Sequence, residues 1–166
     1  MKNITEHLTQ TKTGLLKALL AIDQKKFNTI PFAGSWTAAQ IAEHLLKGNN
    51  VDVFYADTEP SDRTPDEKIQ AISDVFLNFE LKLTPPAQIV PSGNRHEKQA
   101  MLYAIGENFD KLIEASKMLD LSAICTAWVI PAFGPMTRLE FLCMYNVHTI
   151  RHTRQLKNIA VALAQI

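Results

Sequence analysis

Apolar residues recur along this chain at spacings of three and four, the period of a helix that buries one face. Ile4, Leu8, Thr11, Leu15, Leu19 and Ile22 form the first such stripe, and Ile69, Ile72, Phe76, Phe79 and Leu83 form another. A further stripe runs through Leu102, Ile105, Phe109, Leu112, Ser116 and Leu119. The last is Phe141, Tyr145, His148, His152, Gln155 and Ile159. No stretch alternates cleanly enough to demand a strand.

Helix starts are marked as well. A polar residue followed three positions later by Glu or Gln satisfies two orphan backbone N–H groups reciprocally. The chain offers five such pairs: Asn3 with Glu6, Thr37 with Gln40, Thr64 with Glu67, Asn94 with Glu97, and Thr137 with Glu140. Pro65 follows Thr64 at a first helical position, where its missing N–H costs nothing. Trp36 with Ile41, and Met136 with Phe141, are placed to staple the entry of the chain into two of these helices. Together the signals predict helices near 3–22, 37–56, 64–83, 94–119 and 137–164, an all-α fold with no substantial sheet.

Pro and Gly mark the connections. Residues 84–93 cannot be helix throughout. Residues 120–136, with Pro131, Gly134 and Pro135, read as a long irregular connection whose Trp128, Val129, Ile130 and Phe133 pack over one end of the helices. There is no internal repeat and no flexible linker, so residues 1–166 are expected to form one domain.

The candidate chemistry lies on the buried stripes. His148 and His152 are four apart, one turn from each other on one face. His44 follows Ile41 on the buried face of the second helix, with Gly48 one turn further on. Three imidazoles thus point from two helices into one core. Unpaired buried imidazoles are costly, and three close together repel as cations. A divalent metal binding them neutral removes both difficulties. Ordinary hydrogen-bonded core histidines are the other reading, and spacing alone leaves both open. Gly48 either makes room beside a metal or allows close helix contact. Arg151 flanks the histidine face, either to attract an anionic substrate or, as the plainer expectation, in a solvated salt bridge. His7 and His96 are expected to be solvated or locally hydrogen-bonded. Cys143 is turned ~140° from the histidine face and is a poor co-ligand.

Composition narrows the partners. Seventeen basic residues balance seventeen acidic ones. A nucleic-acid grip would show a basic excess or stripe, so none is expected. No glycine-rich phosphate motif appears. No apolar run is long enough for a membrane span, and the first residues lack the apolar core of a signal peptide. Two cysteines make no disulfide framework, so a cytoplasmic setting is expected.

The runs Trp36-Thr37-Ala38-Ala39-Gln40-Ile41-Ala42-Glu43-His44-Leu45 and His148-Thr149-Ile150-Arg151-His152-Thr153-Arg154-Gln155 resemble the DinB superfamily, which includes the YfiT-like metal-dependent hydrolases. The lead-in Pro131-Ala132-Phe133-Gly134-Pro135-Met136-Thr137 is similar to the family's connection into its last helix. The resemblance spans nearly the whole chain in helix order. It implies a four-helix bundle with a long crossover holding an additional helix, here residues 64–83, and often a homodimer. It implies a Zn or Ni site on His44, His148 and His152. Members of known activity use low-molecular-weight thiols as S-transferases or isomerases, and no further catalytic residue carries over. The expectation is therefore a metal-dependent enzyme acting on a small molecule, as a thiol-dependent transferase or a hydrolase. The alternative is a non-catalytic bundle that binds a metal or ligand.

Overall fold

In the computed structural model, described over residues 3–165, five α-helices carry the fold and a small three-stranded sheet closes one end. Helix α1 spans Ile4–Leu20, α2 Ala38–Gly48, α3 Ile69–Phe76, α4 Lys98–Met118 and α5 Arg138–Leu163. Helices α1 and α2 each pack against both α4 and α5, while α3 packs chiefly against α5. The first stripe is buried from Ile4 to Ile22, and Ile105, Phe109 and Leu112 of α4 meet it. Tyr145, Phe141 and Phe54 pack edge to face where α5 begins, at centroid separations of 5.7–6.4 Å.

The helix starts divide in an instructive way. Complete reciprocal boxes form at Thr37 with Gln40 and at Thr137 with Glu140. Asn3 caps α1 through Thr5 N–H. At Thr64 and Asn94 the expected boxes are absent: α3 begins at Ile69 and α4 at Lys98, neither with a side-chain cap. The predicted helix over 64–83 is therefore cut to Ile69–Phe76. Its start is claimed by tertiary bonds, since Lys68 N–H donates to Glu140 (2.8 Å). Past Phe76, the Arg151 guanidinium donates to the carbonyls of Phe76, Asn78 and Leu81 and holds the chain in a non-helical course. Of its predicted stripe only Ile72 is buried. Helix α2 likewise stops at Gly48, eight residues short of the expected end near 56, because Asn49 leaves helical geometry.

The irregular connection expected over 120–136 is instead a β-hairpin. Strand β2, Ile124–Ile130, pairs antiparallel with β3, Gly134–Thr137, and with the two-residue β1, Thr58–Glu59. Its register shifts between Cys125 and Ile130. That irregularity and the partial exposure of most of the strand explain why no clean alternation marks it in the sequence. Gly134 takes φ +64°, the left-handed conformation the turn needs.

A buried ion pair locks the crossover onto α5. Glu140, fully buried, accepts two bonds from the Arg63 guanidinium, each 2.7 Å, and one each from the backbone N–H groups of Lys68 and Thr137. No described helix is long and apolar enough to cross a membrane. Both cysteines are free; burial pushes Cys125 up to about 11 and Cys143 up to about 12, so neither is a ready thiolate.

Candidate metal centre

The three predicted histidines converge. Each offers a ring nitrogen, and the three nitrogens lie within 4.8 Å of one another. All three rings are buried, His44 2% exposed, His148 8% and His152 9%. Their centroids form a compact triangle with sides of 4.7–4.9 Å and steep interplanar angles. Helix α2 supplies the first ring, and α5 supplies the other two from successive turns.

The outer nitrogen of each ring is tied down, and this determines what the inner one can do. His44 Nδ1 lies 2.8 Å from the carbonyl oxygen of Ile89, which can only accept, so Nδ1 carries the proton. His148 Nδ1 lies 3.3 Å from Asn49 Oδ1, and His152 Nδ1 lies 2.9 Å from Gln155 Oε1. These acceptors fix the tautomer that leaves Nε2 unprotonated, as outer partners of metal-bound imidazoles do. Burial lowers the pKa of His44, lowers that of His148 far more, and takes His152 down to about 3, with neighbouring imidazole charge adding to the last two. The rings are neutral donors at ordinary pH.

Nε2 of His44 and Nε2 of His148 are 2.9 Å apart. With both protons spent on the Nδ1 atoms, two lone pairs face each other at hydrogen-bond distance. That contact is repulsive unless a cation lies between them. The donor set of three neutral imidazole nitrogens fits a divalent ion.

Helix α2 also holds one wall of the site. Gln40, Glu43, His44 and Lys47 lie along one strip of the helix, and each binds the segment 89–92. Gln40 donates to the Ser92 carbonyl, Lys47 to the Val90 carbonyl, and Glu43 accepts from both Ser92 N–H and Ser92 Oγ–H. Glu43 also accepts from His96 Nε2 (2.9 Å) and pairs with Lys47 (2.7 Å). Burial would raise the Glu43 pKa, but the bonds from Lys47, His96 and Ser92 outweigh it and hold the group at about 2. His96 is thus half-buried and bonded across the chain rather than within the first turn of a helix. His7, on α1, is half-buried and outside the cluster.

Aromatic rings complete the surround. Trp36 lies 5.0 Å from His44 and 6.4 Å from His152 between centroids, and Phe76 lies 5.7 Å from His148. Arg151 does not form the expected salt bridge; its guanidinium donates instead to the carbonyls of Phe76, Asn78 and Leu81. Gly48 makes room: a Cβ there would stand 3.0 Å from His148 Cε1. Cys143 is absent from the cluster.

Sequence reasoning missed Asn49, Ile89 and Gln155, the partners of the outer nitrogens. Gln155 was legible as a polar position on a buried stripe. Asn49 and Ile89 meet their histidines only through tertiary contact and leave no local signal.

Comparison with curated proteins and with solved structures returns no match. The profile of the DinB superfamily matches residues 7–156, a span holding all three histidines, and the chain belongs to the DinB superfamily.

Proposed function

We propose that this protein is a metal-dependent enzyme acting on a small molecule, with His44, His148 and His152 as ligands of one divalent ion. The observation that carries this is the pair of unprotonated Nε2 atoms of His44 and His148, 2.9 Å apart in a buried cluster. Helices α1, α2, α4 and α5 serve as the four-helix bundle of the family, with α3 as the additional crossover helix. Three nitrogen ligands leave coordination positions open, the pattern of a catalytic rather than a structural site. A divalent ion held there supplies Lewis acidity, which lowers the pKa of a thiol or of water.

Of the two reactions the family suggests, thiol transfer is favoured over hydrolysis. Hydrolysis calls for a free carboxylate or imidazole beside the ion as general base. The nearest carboxylate in sequence is Glu43, and its oxygens are engaged by Ser92, His96 and Lys47. Thiol transfer needs no such base once the thiol is ionised. Trp36 and Phe76 give the surround of the three rings an apolar character suited to excluding water. The family also leads us to propose a homodimer in the cytoplasm.

The test is protein purified without a histidine tag, loaded with Zn or Ni and incubated with small thiols and electrophiles. Metal-dependent consumption of thiol and electrophile together is the expected result. Metal-dependent hydrolysis of esters or amides without thiol would favour the hydrolase. Stoichiometric metal with no turnover on either set would favour a binding protein.

A further inference from the structure

We propose that Asn49, itself oriented by Thr149, is the positioning residue that holds His148 in the tautomer with Nε2 open toward the other two histidines. The inference rests on the metal-site reading for its consequence and on hydrogen-bond bookkeeping for its content.

The chain of bonds is closed at each step. The Thr149 hydroxyl has one proton, and it goes to the Tyr145 carbonyl oxygen, 2.8 Å away and one turn earlier on α5. Thr149 Oγ1 is therefore only an acceptor toward its other neighbour, Asn49, at 2.9 Å. A side-chain amide donates through nitrogen alone, so Asn49 turns Nδ2 to Thr149. Its Oδ1 then faces His148 Nδ1, 3.3 Å away. An amide oxygen can only accept, so the His148 proton belongs on Nδ1 and the lone pair on Nε2. A backbone carbonyl of α5 thus sets, through two side chains, which face of an imidazole on the same helix is basic.

Asn49 is itself fixed. It is 1% exposed, and its carbonyl accepts from Asn108 Nδ2 (3.0 Å) on α4. Thr149 is fully buried. A buried amide with these partners has one low-energy orientation, because the flipped one sets nitrogen against the His148 N–H and oxygen against the Thr149 oxygen, whose proton is already spent on Tyr145. The other two histidines rely on Ile89 and Gln155 and do not share this relay.

Removing the Thr149 hydroxyl should release the amide. In Thr149→Val the shape is kept, but Asn49 Nδ2 loses its acceptor and gains by turning toward His148 Nδ1. The imidazole proton then moves to Nε2, where it blocks coordination. Thr149→Ser keeps the hydroxyl and should behave as wild type. Asn49→Leu removes the acceptor altogether.

Two measurements test this on the full, untagged chain. Nitrogen NMR of the imidazoles in metal-free protein reads the tautomer directly. Zinc affinity by chelator competition reads the consequence. The expected result is an Nδ1–H His148 in wild type and Thr149→Ser, and loss of that preference in Thr149→Val. Zinc affinity should fall about 10–100-fold in Thr149→Val and Asn49→Leu, the usual cost of removing an outer partner, and be kept in Thr149→Ser. Circular dichroism guards against a folding defect, and the Val/Ser pair at 149 decides even if Asn49→Leu does not fold. An unchanged tautomer and affinity in Thr149→Val overturns the proposal. Wild-type protein with the expected tautomer but no zinc binding would instead remove the metal reading and leave the positioning role standing.

Discussion

Nε2 of His44 and Nε2 of His148 stand 2.9 Å apart while the Nδ1 atoms of the same two rings are bound to the Ile89 carbonyl and the Asn49 amide oxygen. Two lone pairs opposed at that distance favour the proposed ligand set over a core assembled only for packing. The bundle around them is a separate matter. Buried stripes on α1, α4 and α5 supply an apolar core without any ligand.

Metal binding and folding should therefore come apart. His148→Ala is expected to abolish metal binding and to cost about 1–3 kcal/mol, in the range for core substitutions. Circular dichroism and thermal melting of wild type and variant, each with and without chelator, measure both effects. An unfolded chain after chelation would make the ion a structural staple and remove the main support for an enzyme.

Gly48 offers a subtler perturbation. A methyl group there presses on His148 Cε1 from 3.0 Å, and the ring has little room to retreat, because its Nδ1 is bonded to Asn49 and its Nε2 already stands 2.9 Å from His44 Nε2. Gly48→Ala should change stability by less than about 1 kcal/mol, since alanine also favours the helix. Zinc affinity should drop about tenfold, the low end for disturbing the support of a ligand. Isothermal titration with zinc distinguishes this from a neutral outcome, which would mean the ring has slack.

Acid stability should trace to Glu140. Burial alone would raise its pKa, but the bonds from Arg63, Thr137 and Lys68 outweigh that and lower it below its ordinary 4.5. A carboxylate with a depressed folded pKa gives stability that is fully present above the unfolded value and lost as pH falls through the folded one. Arg63→Ala strands a fully buried charge and should cost about 3–5 kcal/mol. Its acid-unfolding midpoint, followed by far-ultraviolet circular dichroism, should move to higher pH than in wild type. Coincident acid transitions in the two proteins would show that this pair does not govern acid unfolding.

Trp36 gives a direct optical report on the site. Its ring lies 5.0 Å from His44, close enough for a bound paramagnetic ion to quench it. Nickel or cobalt should quench part of the tryptophan emission of the wild-type protein. The response should vanish in Trp36→Phe, in which Trp128 is the remaining indole. Persistent quenching in that variant would place the ion elsewhere.

The sequence by itself determined what local physics can specify. Helical spacing marked the buried faces of α1, α4 and α5, because a period of three and four is the direct imprint of one-sided burial. It put His44, His148 and His152 on buried faces for the same reason, and two complete capping boxes, at Thr37 and Thr137, mark the starts of the two helices that carry those rings. Tertiary structure decided the rest. The helix expected over 64–83 shrank to Ile69–Phe76 because Glu140 and Arg151 compete for its backbone at both ends, and neither lies near it in sequence. The hairpin at Ile124–Thr137 escaped notice because its pairing is irregular and its faces are unequally buried. Above all, spacing could not choose between hydrogen-bonded core histidines and a ligand set. That choice turns on which nitrogen of each ring carries the proton, and for His44 and His148 the partners that fix it, Ile89 and Asn49, come from elsewhere in the chain and meet their rings only when the helices pack.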